Sequence, residues 1–185
     1  MQIKRTTVEK IRIEDLHESH RLDPVEVIVE NFDEGAGKIT ISCYGEVWTG
    51  FWGSMGGTVE EFFQRVSNDY LINKMSDYRA TEPDYDADAD FLKKLILKER
   101  RSGNITTSEA KEALDFVESR SVDRNILANG YLPDCLLRIE GMCEPWHLDW
   151  PQMPSHKYAY LERILNLVRE VIKPGGNDES SLHVR

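Results

Sequence analysis

Residues 38–70 read KITISCYGEVWTGFWGSMGGTVEEFFQRVSNDY, and the way this stretch changes its period decides the fold. Ile39, Ile41 and Cys43 recur every second residue, the spacing of a half-buried strand. Trp48 and Trp52 are an even number of residues apart, so they share a core-facing side if the strand runs on past Gly45, which then reads as a bulge. GSMGG stops the strand, and Thr58 and Glu61 follow in capping-box spacing. Val59, Phe62, Phe63, Val66 and Tyr70 then recur at three- and four-residue intervals, which predicts one helix running to about Met75.

Toward the N-terminus, VEVIVENF (25–32) alternates Val25, Val27 and Val29 on one face and ends in DEGAGK, where Gly35 and Gly37 suit a hairpin. TTVEKIRI (6–13) reads as an edge strand. DLHESHRLDP (15–24) reads as a loop, because its polar run and Pro24 interrupt any strand.

Toward the C-terminus, SDYRATEPDYDADAD (76–90) holds six acidic residues and reads as an exposed connection. Two helices are predicted beyond it, about 88–101 and 107–120. The first turns Phe91, Leu92, Leu95 and Ile96 inward; the second opens with Thr106 and Glu109 in capping-box spacing. Short helical turns are expected over 122–129 and from Pro133. GMCEPWHLDWPQMP, with three prolines, is irregular. From Ser155 an apolar stripe of Leu161, Ile164, Leu165, Val168 and Ile172 predicts a last helix, ended by Pro174-Gly175-Gly176, before a disordered tail.

These elements predict an α+β fold: a small antiparallel N-terminal sheet covered by one helix, followed by a mainly helical C-terminal half. The expected division is a sheet subdomain over 1–76, an acidic connection over 77–90, a helical subdomain over 91–173 and a tail over 174–185, with one single domain overall as the alternative.

Composition narrows the function. The chain has 185 residues and 33 acidic against 23 basic side chains, a net charge of -10. That charge repels a phosphate backbone, so direct nucleic-acid binding is disfavoured and a partner with a basic surface is favoured. Three cysteines make no disulfide framework, and the N-terminus carries no apolar leader, which together predict a reduced, cytoplasmic protein.

No cofactor motif is present. GSMGG before a capped helix lacks the Lys and Ser/Thr of a phosphate loop, and Glu60 and Glu61 stand where phosphate would sit. GSM has no nucleophile-elbow context, and no catalytic triad is recognisable. Asp15, His17, Glu18 and His20 read as a solvated polar loop. Cys135, Cys143, His147 and His156 have zinc-ligand chemistry at spacings unlike zinc knuckles, so a metal-dependent enzyme is one alternative. A nucleic-acid binder using the basic run Lys93, Lys94, Lys98, Arg100 and Arg101 is another, although these side chains also complement their own helix dipole.

The candidate partner-binding residues are Asp84, Asp86, Asp88 and Asp90, together with Trp146 and Trp150. Alternating carboxylates on an extended segment present a line of negative charge to a basic groove. The two tryptophans lie in an irregular loop, where an aromatic side chain serves as a contact anchor.

The stretch ITISCYGEVWTGFWGSMGGTVEEFFQRVSNDYLINKM (39–75) resembles small accessory proteins of tailed bacteriophages and prophages, with their aromatic strand, glycine turn and helix ending in an N-D-Y-L run. The resemblance implies a product of a phage accessory region, where host-takeover and anti-defence proteins are common. Together with the acidic charge and the missing catalytic motifs, it favours a non-enzymatic protein that binds a host protein, with inhibition of a defence or nucleic-acid-processing complex as the expected role. It carries over no functional residue.

Overall fold

The computed structural model describes residues 3, 7–120, 122–129, 132–139 and 141–173. Period-two patterning in the N-terminal third builds a four-stranded antiparallel sheet from β1 (Glu9–Ile13), β2 (Val25–Asp33), β3 (Ala36–Cys43) and β4 (Glu46–Trp52), ordered as in the sequence. Helices follow, so the α+β class holds. The predicted loop before β2 contains one helical turn, α1 (His17–His20), flanked by the buried Leu16 and Leu22.

The single strand expected over 38–52 is two strands. Tyr44 and Gly45 both have positive φ, 48° and 85°, the backbone of a tight two-residue hairpin. Gly45 is therefore a turn residue, not a bulge. The reversal keeps parity: Ile41 pairs with Trp48 and Cys43 with Glu46, so Trp48 and Trp52 remain on the core face. Gly50 lies between them, where a Cβ would collide with the Trp52 ring.

The helix expected over 58–75 is also two pieces, α2 (Val59–Arg65) and α3 (Asn68–Met75). Thr58 and Glu61 form the predicted capping box, and Ser67 caps α3 by accepting from the Tyr70 amide. The break is held from far away in sequence. Arg169 donates to the carbonyl of Val66 at 2.5 Å, to the carbonyl of Phe63, and to Asn68 Oδ1 at 3.0 Å. The Phe63 and Val66 acceptors are backbone carbonyls that the end of α2 leaves without helical partners.

Contacts divide the chain into two units, residues 1–80 with 155–185, and residues 81–154. The boundaries differ from the division expected from the sequence, which grouped residues 155–173 with the helical subdomain. The last helix, α8 (His156–Val171), belongs with the sheet, because its stripe of Leu161, Ile164, Leu165 and Val168 is buried in the same core as Val25, Val27, Ile39, Ile41 and Phe63. Each such side chain contributes about 1.5–3 kcal/mol through burial. The tail expected over 174–185 lies outside the described residues.

The 81–154 unit is built on α4 (Asp88–Arg101) and α5 (Thr107–Arg120), whose inward residues Leu92, Ile96, Ala110, Ala113 and Val117 share a core with Leu136, Ile139 and Met142. Thr106 and Glu109 complete the second capping box. Two short helices, α6 (Arg124–Asn129) and α7 (Asp134–Leu137), stand close to the predicted positions. The acidic connection is not wholly free chain: β5 (Thr81–Pro83) pairs antiparallel with β6 (Gln152–Pro154) and ties the two ends of the unit together.

Candidate partner-binding surface

The four alternating aspartates do not form one exposed line, because the segment coils into the start of α4. Asp84 is half-buried, and its Oδ1 accepts the Ala87 amide in the turn that leads into the helix. Asp88 is fully buried. Asp86 and Asp90 are exposed. The residues that coil the segment are those predicted to keep it open, since an Asp side chain that accepts a nearby backbone amide closes a local turn.

Asp88 is buried because Arg124 meets it. Arg124 Nε donates to Asp88 Oδ2 at 2.8 Å, a terminal guanidinium nitrogen donates to Oδ1, and the Arg124 amide donates to Oδ2 at 3.1 Å. The same guanidinium donates to the carbonyl of Pro151 at 2.8 Å and lies 5.2 Å and 5.1 Å from the ring centres of Tyr85 and Trp150. The hydrogen bond with Asp88 pushes the arginine further above its ordinary value. Such a two-pronged, desolvated pair is an internal clamp, so Asp88 does not face a partner.

The tryptophan pair is divided in the same way. Trp150 is buried: its Nε1 donates to the carbonyl of Pro145 at 2.6 Å, and its ring lies 5.1 Å from Phe91. Trp146, in the 3-10 turn Pro145–His147, is 66% exposed and touches His147 edge-on at 5.9 Å. Of the six residues singled out, Asp86, Asp90 and Trp146 are the solvent-facing ones.

What the sequence did not reveal is a cleft of about 490 Å³ beside Asp86. Ala89, Val117 and Val122 line it with apolar surface, while Tyr85, Asp86, Glu118 and Asp123 supply polar groups. Asp123 accepts the amides of Asn125 and Ile126 at 2.9 Å and so caps α6. Glu118 pairs with Lys93 at 3.2 Å across the opening. Three carboxylates face one ammonium there, beside a half-exposed Tyr85. Asp123 and Glu118 lie more than 25 residues from Asp86 in sequence, so only folding assembles them.

The other groups weighed from sequence fall elsewhere. Cys135 is buried, which pushes its thiol above the ordinary range, whereas Cys143 and His147 are exposed, and His156 belongs to the other unit. No three His, Cys, Asp or Glu side chains converge as a metal site among the described residues. Lys94, Lys98, Arg100 and Arg101 are exposed along α4. At the GSMGG turn, Asn31 Oδ1 accepts the Val59 amide at 2.8 Å and Thr58 accepts the Glu61 amide, so side chains of this chain take up the helix-start donors. No helix among the described residues is long and apolar enough to cross a membrane.

A family model described as a phage family, Phage_phiTE_072, matches residues 1–174. No curated protein and no solved structure matches the chain. The match extends far beyond the 39–75 segment whose likeness to phage accessory proteins is legible in the sequence, and the chain belongs to this phage family.

Proposed function

We propose that this phage protein binds a host protein through the acidic face of its 81–154 unit. The observation that carries the reading is the cleft beside Asp86, where Glu118, Asp123 and the half-exposed Tyr85 surround an apolar floor. A protruding arginine or lysine of a partner would find carboxylates for its charge, an aromatic ring for its planar or aliphatic part, and an apolar surface for its stem. Asp90 extends the negative charge along the start of α4, and Trp146 offers a separate exposed anchor on the same unit. A partner with a basic surface fits this chemistry. Occupation of that surface would inhibit a defence or nucleic-acid-processing complex that uses it to hold nucleic acid.

The test is affinity capture from a bacterial host with the wild-type chain and with Asp86→Lys/Glu118→Lys, both positions being exposed. The expected result is a stoichiometric, salt-sensitive partner that the charge-reversed variant loses. Recovery of no stoichiometric partner, or equal recovery by the variant, overturns the proposal.

A further inference from the structure

A second cleft lies within the 1–80 and 155–185 unit and has the opposite electrostatic character. It encloses about 430 Å³ and is lined by the rings of Trp48, Tyr78 and Tyr160, with His156, Lys157 and Arg163 around them and Glu46 as the single acidic group. Its size falls within the range of small-molecule sites, roughly 300–1,000 Å³.

Two features separate it from ordinary surface. The first is charge. In a chain whose acidic side chains outnumber Lys and Arg by ten, two cations and a histidine gather here around one carboxylate. No carboxylate lies within ion-pair distance of Lys157 or Arg163 among the described residues. Lys157 instead stands 5.8 Å from the ring centre of Tyr78, and Arg163 stands 5.6 Å from that of Tyr160. Both cations are exposed and keep their donors available to an anion. The start of α8, where His156 and Lys157 sit, adds the positive end of the helix dipole.

The second feature is a braced aromatic wall. The Tyr160 hydroxyl lies 3.1 Å from the buried Cys43 Sγ, which fixes the ring from behind, and Trp48 supports it at 6.4 Å. Tyr160 and Tyr78 are half-buried, so part of each ring remains available at the cleft. A fixed ring offers a stacking platform at little entropic loss.

We infer that this cleft binds a nucleoside monophosphate or a close relative: an aromatic ring carrying a compact anion. The base would stack on the tyrosine wall, and the phosphate would take the donors of Lys157 and Arg163, with His156 adding a third when protonated. Glu46 would accept from a base amino group or a ribose hydroxyl. A long nucleic-acid strand is a poorer occupant, because the net charge of -10 repels its remaining phosphates. This inference is independent of the acidic cleft, which lies in the other unit.

Calorimetric titration of the full chain with the four ribonucleoside 5′-monophosphates tests it, with adenosine, ribose 5-phosphate and inorganic phosphate as partial probes. At least one nucleotide should bind, each partial probe should bind more weakly, and Lys157→Gln/Arg163→Gln should weaken the nucleotide by about tenfold or more, as expected for two charge-assisted hydrogen bonds. Both positions are exposed, and an unchanged circular dichroism spectrum verifies that the variant is folded. Tyr78→Leu, which removes stacking and keeps the charge, should weaken nucleotides while leaving phosphate unaffected. The inference is overturned if no nucleotide binds at millimolar concentration, if inorganic phosphate binds as tightly as the nucleotides, or if the double variant retains full affinity.

Discussion

Arg124 Nε stands 2.8 Å from Asp88 Oδ2, and the carboxylate that it meets is fully buried. One ion pair thus joins the start of α4 to the start of α6, while the same guanidinium holds the Pro151 carbonyl beside β6. A position that resembles solvated linker in the sequence is the central clamp of the 81–154 unit.

Removal of one partner from this clamp leaves a buried charge unmatched. Asp88→Ala should destabilise the protein by about 3–5 kcal/mol. Asp86→Ala and Asp90→Ala, at exposed positions, should stay within about 0.5 kcal/mol of wild type. Urea denaturation of the three variants checks the contrast, and equal midpoints would contradict the clamp.

The tryptophans should separate by solvent access. Trp146 is 66% exposed, whereas Trp48, Trp52 and Trp150 are buried. Acrylamide should quench mainly Trp146, so Trp146→Phe should remove most of the quenchable emission and leave a blue-shifted remainder. A variant that quenches like wild type would mean that another tryptophan is accessible.

Arg169 satisfies carbonyls at the end of α2 from α8. Arg169→Ala should cost about 1–3 kcal/mol, because those carbonyls lose a partner in a partly buried place. Thr58→Ala and Thr106→Ala should each cost about 1 kcal/mol through the two capping boxes. Thermal denaturation ranks the three.

Stability at alkaline pH should reflect Tyr160. Burial, reinforced by the bond with Cys43, raises its hydroxyl well above the ordinary tyrosine value. A raised value means that the folded state holds the proton more tightly than the unfolded chain. Its contribution is therefore complete below about pH 10 and declines as pH rises beyond it. Tyr160→Phe should give a shallower decline above about pH 10 in denaturation midpoints; an unchanged slope would assign the decline to other groups.

Local signals are legible in the sequence where their cause is local. The capping boxes at Thr58 and Thr106, the boundaries of α4 and α5, the start of α8 next to Ser155 and the inward face of Trp48 and Trp52 all follow from spacing and side-chain chemistry. The candidate surface was legible only in part. Asp86, Asp90 and Trp146 are exposed as expected, but Asp88 and Trp150 are interior because Arg124, 36 residues beyond Asp88, neutralises one and stacks against the other.

By itself the sequence determined the α+β class, the core faces and most helix starts, since each depends on residues within one or two turns of one another. Tertiary structure alone decided three things. It set the break between α2 and α3, which Arg169 holds from about a hundred residues away; it placed α8 with the sheet instead of with the helical unit; and it brought Glu118 and Asp123 beside Asp86. The reasons are physical and non-local: the apolar stripe of α8 is buried with the sheet, and the packing of α4 on α5 carries the carboxylates together. At the end of α2, as at Asp88, an orphan carbonyl or a buried charge needs a partner, and the chain supplies it from a distant residue that the fold brings within reach.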